Sequence, residues 1–265
     1  MAVRKPFFVV PSALSAMSTG NALTGHSAAN LGYFDAIGMT WKTLDNADIW
    51  VRGQLSSPSR INFCSIVAAN ALPETKMRLR LGSSLEEVDG DEAAFDSGIV
   101  DFISPAITST DGLYHSHLEL EAVQTATYYR LDISDHVGQF EAAALILGEK
   151  IEPSRFYNYN FEYGVKATGD SKITVNGVVD SQPGINLRTI DFALGWQSET
   201  EVFERFMPML QRVATSEFVY LCFDPEPHAY RQAKTFLGNL QKPGFARGIR
   251  KPGVFLQEFS LQSVI

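Results

Sequence analysis

The run His115-Ser116-His117-Leu118-Glu119-Leu120-Glu121 is the richest set of ligating and titratable side chains in this sequence. In a strand, odd positions share one face, so both histidines and both glutamates point the same way and Leu118 and Leu120 point inward. Imidazole and carboxylate together suit zinc. A strand rises about 3.3 Å per residue, so positions i and i+2 stand roughly 7 Å apart. Only one neighbouring pair could then converge on an ion with ligand bonds near 2 Å. The expectation is therefore a solvent-facing strand surface with no metal.

The acidic run Glu86-Glu87-Val88-Asp89-Gly90-Asp91-Glu92 invites comparison with a calcium loop. Its spacing does not fit, because Gly90 falls between Asp89 and Asp91, so a hydrated hairpin tip is expected. No nucleophile elbow, phosphate loop, dinucleotide fingerprint or Cys/His cluster occurs. Aspartate and glutamate pairs exist, but none sits in a glycosidase setting. No catalytic, cofactor-binding or metal residue is assigned, and the chain is expected not to be an enzyme.

Composition narrows the classes further. The chain has 265 residues, 45% apolar and 20% charged, with 18 phenylalanines, which predicts one large or two modest globular units. The net charge of −8, with no basic run, argues against a nucleic-acid partner. Cys64 and Cys222 lie in apolar runs and read as buried free thiols, which suits a reducing cytoplasm. No stretch reaches the length of apolar residues a membrane span needs.

Strand signals recur from Met39 to Leu147: Lys76–Leu81, Gly98–Ile103, Leu113–Val123, Tyr128–Ile133 and Phe140–Leu147. Turns fall at Ser57-Pro58-Ser59, Ala71-Leu72-Pro73, Thr110-Asp111-Gly112 and His136-Val137-Gly138. Residues 11–30, rich in Ser, Ala, Thr, Gly and Asn, read as an extended arm. After Gly148 the pattern changes. Strands are expected at Ser171–Val175 and Ile185–Leu194, with Asp180–Gly184 as a loop. Ser198 and Glu201 form a capping box, and Val202, Phe203, Phe206, Leu210 and Val213 follow helical spacing, with the helix expected to be kinked or broken near Pro208. Phe218–Phe223 and Gly253–Val264 read as strands. The fold class is thus mainly β: an antiparallel jelly-roll sandwich over 31–150, preceded by an arm at 1–30 and followed by a smaller α+β assembly unit over 151–265.

Between Phe156 and Tyr163 five aromatics occur in eight residues: Phe156, Tyr157, Tyr159, Phe161 and Tyr163. Tyrosine has a dry ring and a wet hydroxyl, so this stretch is a candidate interface for a partner chain or a sugar. Packing between the two units is the alternative.

Thr40-Trp41-Lys42, Ile49-Trp50-Val51, Ile61-Asn62-Phe63, Ala69-Asn70-Ala71-Leu72 and Arg78-Leu79-Arg80-Leu81, in that order, resemble a galactose-binding-like sandwich in tail-tip and baseplate proteins of long-tailed bacteriophages. Tyr128-Tyr129-Arg130-Leu131, Phe140 to Gly148, Tyr163-Gly164 and Asp224-Pro225 extend the resemblance over about residues 30–225. It implies a virion structural protein of the distal-tail kind: a homo-oligomeric ring joining the tail tube to hub and fibres, assembled in the host cytoplasm. The other function this fold suggests is a carbohydrate- or receptor-binding module, with host-surface glycans as partners. No cofactor is expected on either reading.

Overall fold

The computed structural model describes residues 4–107, 109, 111–173, 175–242, 245–249 and 252–265. Thr110, which opens one expected turn, lies outside them. The fold is mainly β with antiparallel pairing. Two compact units are present: Phe8–Lys150 with Pro225–Lys234, and Met1–Phe7 with Ile151–Asp224 and Thr235–Ile265.

In the first unit the sheet runs in the order Ala144–Gly148, Trp50–Val67, Leu118–Ser134, Lys76–Gly82, Phe95–Asp96. A short ladder pairs Trp41–Lys42 with Glu141–Ala142. Period-2 alternation explains the strand Lys76–Gly82. Met77, Leu79 and Leu81 are buried, while Lys76, Arg78 and Arg80 take the other face. Leu118–Ser134 is one strand where two were expected. Trp50–Val67 is 18 residues long and carries register shifts between Gln54 and Ser59, around Pro58. Proline has no N–H to give a ladder and is tolerated at such irregularities. The core gathers Trp41, Phe102, Phe140, Tyr129, Leu79 and Leu131.

The segment expected as an arm contributes ordered structure. Phe7–Val9 and Leu14–Thr19 are strands, the latter pairing with Trp50–Val67, and Ala28 and Leu31 are buried in the core. Small residues allow close approach, which a composition reading takes for weak burial. The hairpin tip expected over Glu86–Glu92 is corrected too. Leu85–Asp89 is a short helix capped by Ser84, whose side chain accepts the Glu87 N–H.

In the second unit the sheet order is Val219–Cys222, Thr235–Leu240, Val254–Ser263, Asn186–Ser198, Glu162–Ala167, and Phe245–Gly248 pairs with Val254–Ser263. The helix starts at Ser198, whose Oγ accepts the Glu201 N–H at 3.2 Å. The Glu201 carboxylate takes the N–H and Oγ–H of Ser154 at 2.7 and 2.6 Å. One wide turn, Val202–Phe206, precedes Met207–Val213. Pro208 supplies no N–H and crowds the preceding turn, and a widened turn accommodates it without a break. Asp180–Gly184, expected as a loop, is partly strand, because Val179–Gln182 pairs with Asp170–Ile173.

Cys64 and Cys222 are both buried, and neither forms a disulfide. Among the described residues no helix is long and apolar enough to cross a membrane.

Candidate functional site

The His/Glu run is not the solvent-facing row expected. His117 and Glu119 side chains are only 7% and 21% exposed. His117 Nε2 lies 2.8 Å from Glu119 Oε1, Lys150 Nζ donates to Glu119 Oε2 at 2.7 Å, and Phe63 packs edge-on against the imidazole at 5.1 Å. Burial holds the His117 imidazole below its usual pKa, so it is neutral at pH 7 and donates. Burial pushes the Glu119 carboxyl up, but the hydrogen bonds from His117 and Lys150 outweigh it and bring it to about 2. His115 turns elsewhere, its Nδ1 accepting the Ala68 N–H at 2.9 Å. Among the described residues no group of His, Cys, Asp and Glu is placed to hold a metal ion.

The sheet face bearing Trp50 carries an ionic lattice that spacing alone did not reveal. Arg52 and Arg130 stand 5.1 and 4.7 Å from the Trp50 ring centre. Both guanidiniums bind Asp89, Arg130 also binds Asp132 at 2.9 Å, and Arg80 binds Asp132 at 2.7 Å. Strand register brings these together, since Arg52 and Arg80 both face Arg130 across the ladder. With guanidiniums beside its ring, Trp50 acts as a packing element rather than a free stacking platform for a ligand.

The aromatic stretch divides in two. Tyr157 stacks on buried Phe223 at 4.1 Å, Phe161 lies 5.3 Å from it, and Tyr163 lies 5.8 Å from it and stacks on Phe236. Phe156 and Tyr159 point out, Tyr159 fully exposed. Tyr157 and Phe161 therefore pack on their own unit's core, Tyr163 touches that core but stays 47% exposed, and Phe156 and Tyr159 are exposed.

Beside this cluster, Glu162, Asp191, Lys242, Phe245 and Glu258 line a cleft of about 410 Å³ with Phe192 as part of its wall. Glu162 and Asp191 are ladder partners. Like charges directly opposite one another destabilise a sheet, so the cleft is locally costly.

An exposed surface lies just beyond. Glu162–Ala167 pairs with the start of Asn186–Ser198, and Asp170–Ile173 pairs with Val179–Gln182. Between the two ladders Thr168 and Ile185 exchange hydrogen bonds of 3.0 and 2.9 Å. Gly169 and Gly184 meet there so closely that a Cβ on either would stand within 2.6 Å of the other's backbone nitrogen, a junction only glycine permits. The result is a two-stranded ribbon that leaves the main sheet at Val165 and Arg188 and runs about 30 Å to Ile173 at 3.3 Å per residue. Every described strand residue of Glu162–Ala167, Asp170–Ile173 and Val179–Gln182 is exposed. Ile173 and Val179 face each other across the tip on one side, and Lys172 and Asp180 on the other. Ile173, Val175, Val179 and Ile185 are 77%, 105%, 62% and 66% exposed. Spacing signals the strands near Ser171 and from Ile185, but neither Glu162–Ala167, nor Val179–Gln182, nor their projection from the core.

No protein-family model matches the chain, and no curated protein matches it. Among solved structures, a fucose-binding module of Streptococcus pneumoniae, SpX-3, is similar over 52% of this chain and 97% of its own, at 9% identity and a TM-score of 0.38. CBM32-1 from a family 31 glycoside hydrolase of Clostridium perfringens is similar over 53% and 96%, at 10% identity and 0.34. Reduced XRCC1, solved bound to the DNA polymerase β catalytic domain, is similar over 53% and 98%, at 13% identity and 0.36. These likenesses are to about half of this chain, and at such scores they carry no conclusion about what it binds.

Proposed function

We propose that this chain is a structural protein that assembles with copies of itself, in the setting its sequence resemblance implies: a ring in a phage tail tip or baseplate. The exposed ribbon carries the reading. A free two-stranded ribbon is marginal in water, and burying each of its aliphatic side chains would contribute roughly 1.5–3 kcal/mol. Stable interfaces draw on about 20–30 residues a side, which the ribbon and its base supply. The purified full-length chain is expected to sediment as a closed oligomer and to occur, by mass spectrometry, in particles released by its host. A single-chain mass up to the solubility limit, with absence from every particle, would remove the reading.

The cleft favours a second reading, glycan binding. Carboxylates such as Glu162, Asp191 and Glu258 accept sugar hydroxyls, and Phe245, whose ring Arg247 approaches to 5.6 Å, adds an apolar wall. The cleft volume falls within the usual ligand range of about 300–1,000 Å³. On this reading the sugar sits in the second unit rather than on the sandwich. A glycan array should give hits with the wild-type chain that Phe245→Ala loses; equal binding by both, or no hits, would reject it.

A further inference from the structure

We propose that Asn176 is a site of spontaneous chemical modification: its side-chain amide closes onto the Gly177 nitrogen, releases ammonia and leaves aspartate or isoaspartate at the ribbon tip. This holds whether the chain assembles with copies of itself or binds a sugar.

Sequence and structure select the same position. Of the asparagines in the chain, only Asn176 is followed by glycine. Every other residue type carries a Cβ beside the nitrogen that must attack, and glycine carries none. The pair sits in the connection between Ile173 and Val179, the last ladder partners of the ribbon. Asn176 and Gly177 are both exposed, and nothing stands within 4 Å of the place a Gly177 Cβ would take. Exposed loop tips are where a backbone is least restrained. Among the described residues the Asn176 side-chain amide has no hydrogen-bond partner.

Other candidates are held. The side chains of Asn30, Asn62, Asn70 and Asn239 are tied to backbone groups. Asp89-Gly90 and Asp111-Gly112 share the glycine, but a carboxylate is a poorer electrophile than an amide. The Asp89 carboxylate is bound by Arg52 and Arg130, and Asp111 Oδ1 accepts the Leu113 N–H at 3.0 Å.

The Gly177 nitrogen gives its proton to solvent base and attacks Asn176 Cγ. The N–Cγ bond forms, the Cγ–Nδ2 bond breaks, and ammonia leaves behind a five-membered imide. Water then opens the imide. Cleavage between the nitrogen and Cγ gives aspartate. Cleavage between the nitrogen and the backbone carbonyl carbon gives isoaspartate, with the main chain running through Cβ and Cγ. Only water is consumed. Either product adds a negative charge to the tip. Isoaspartate also lengthens the connection by one carbon, and in a hairpin the connection sets the register, so the pairing of Ile173 with Val179 is strained.

Incubating the folded, full-length protein at mildly alkaline pH, with peptide mapping by mass spectrometry, tests this. Asn176 is expected to be the first asparagine to convert, its –NH2 replaced by –OH, with two product peptides resolved by chromatography. Conversion should quicken as pH rises, because the attacking nitrogen must shed its proton. Hydroxylamine, which opens the imide and cuts the chain, should split the folded protein into residues 1–176 and 177–265. Asn176→Gln, whose longer side chain closes such a ring poorly, should lose both the conversion and the cut while keeping the wild-type circular dichroism. Conversion of Asn176 only after unfolding in urea would mean that the folded tip protects it, and the proposal would be overturned. Earlier conversion of another asparagine, or a hydroxylamine cut that survives in Asn176→Gln, would overturn it as well.

Discussion

Replacing Trp41 with alanine is expected to destabilise the sandwich unit by about 3–5 kcal/mol, the cost of emptying a large buried aromatic site. Trp41 has no exposed surface and meets Phe140 edge-on at 5.6 Å. Phe140 in turn contacts Phe102 at 5.9 Å and His136 at 5.2 Å, so the loss opens a cavity at the centre of an aromatic cluster. The indole Nε1 makes no hydrogen bond, so Trp41→Phe loses only volume and should cost less than half as much. Trp50→Ala should cost about 1–2 kcal/mol, because that ring is partly exposed and held by guanidiniums rather than enclosed. Urea unfolding of the three variants checks the order. Equal midpoints for Trp41→Ala and Trp50→Ala would contradict this division between core and surface.

Acid should release the second large effect. Glu119 has a folded pKa of about 2, against an unfolded value near 4.3. A depressed carboxyl contributes stability that is present above the unfolded value and is lost as pH falls toward the folded one. The window is therefore about pH 4.5 down to pH 2, and the size about 3 kcal/mol. Glu119→Gln at pH 7 should cost about 2–4 kcal/mol, since it removes the carboxylate from Lys150, whose side chain is only 13% exposed. The variant should also lose less stability than wild type between pH 4.5 and pH 2.5. Parallel acid slopes for the two proteins would place the acid sensitivity elsewhere.

What the sequence by itself determined is the alternation. Met77, Leu79 and Leu81 against Lys76, Arg78 and Arg80, and the spacing of Val202, Phe206, Leu210 and Val213, fix strand and helix because side-chain direction follows the backbone period. The capping box at Ser198 is local chemistry of the same kind, although Glu201 spends its carboxylate on Ser154 instead of closing the box. The mainly β class follows from such short-range rules. Only the tertiary structure decided which chemical groups meet. Glu119 and Lys150 lie 31 residues apart, and Arg52 and Asp89 lie 37 apart, so no local spacing encodes either pair; strand register and chain crossing do. The same holds for the aromatic stretch, where Phe223 draws Tyr157 and Phe161 inward and leaves Tyr159 in solvent. The ribbon follows this rule in reverse. Val165, Ile173 and Ile185 are types that normally seek a core, and they are exposed because the described residues lay nothing over them, which is a property of the packed molecule and not of their order in the chain.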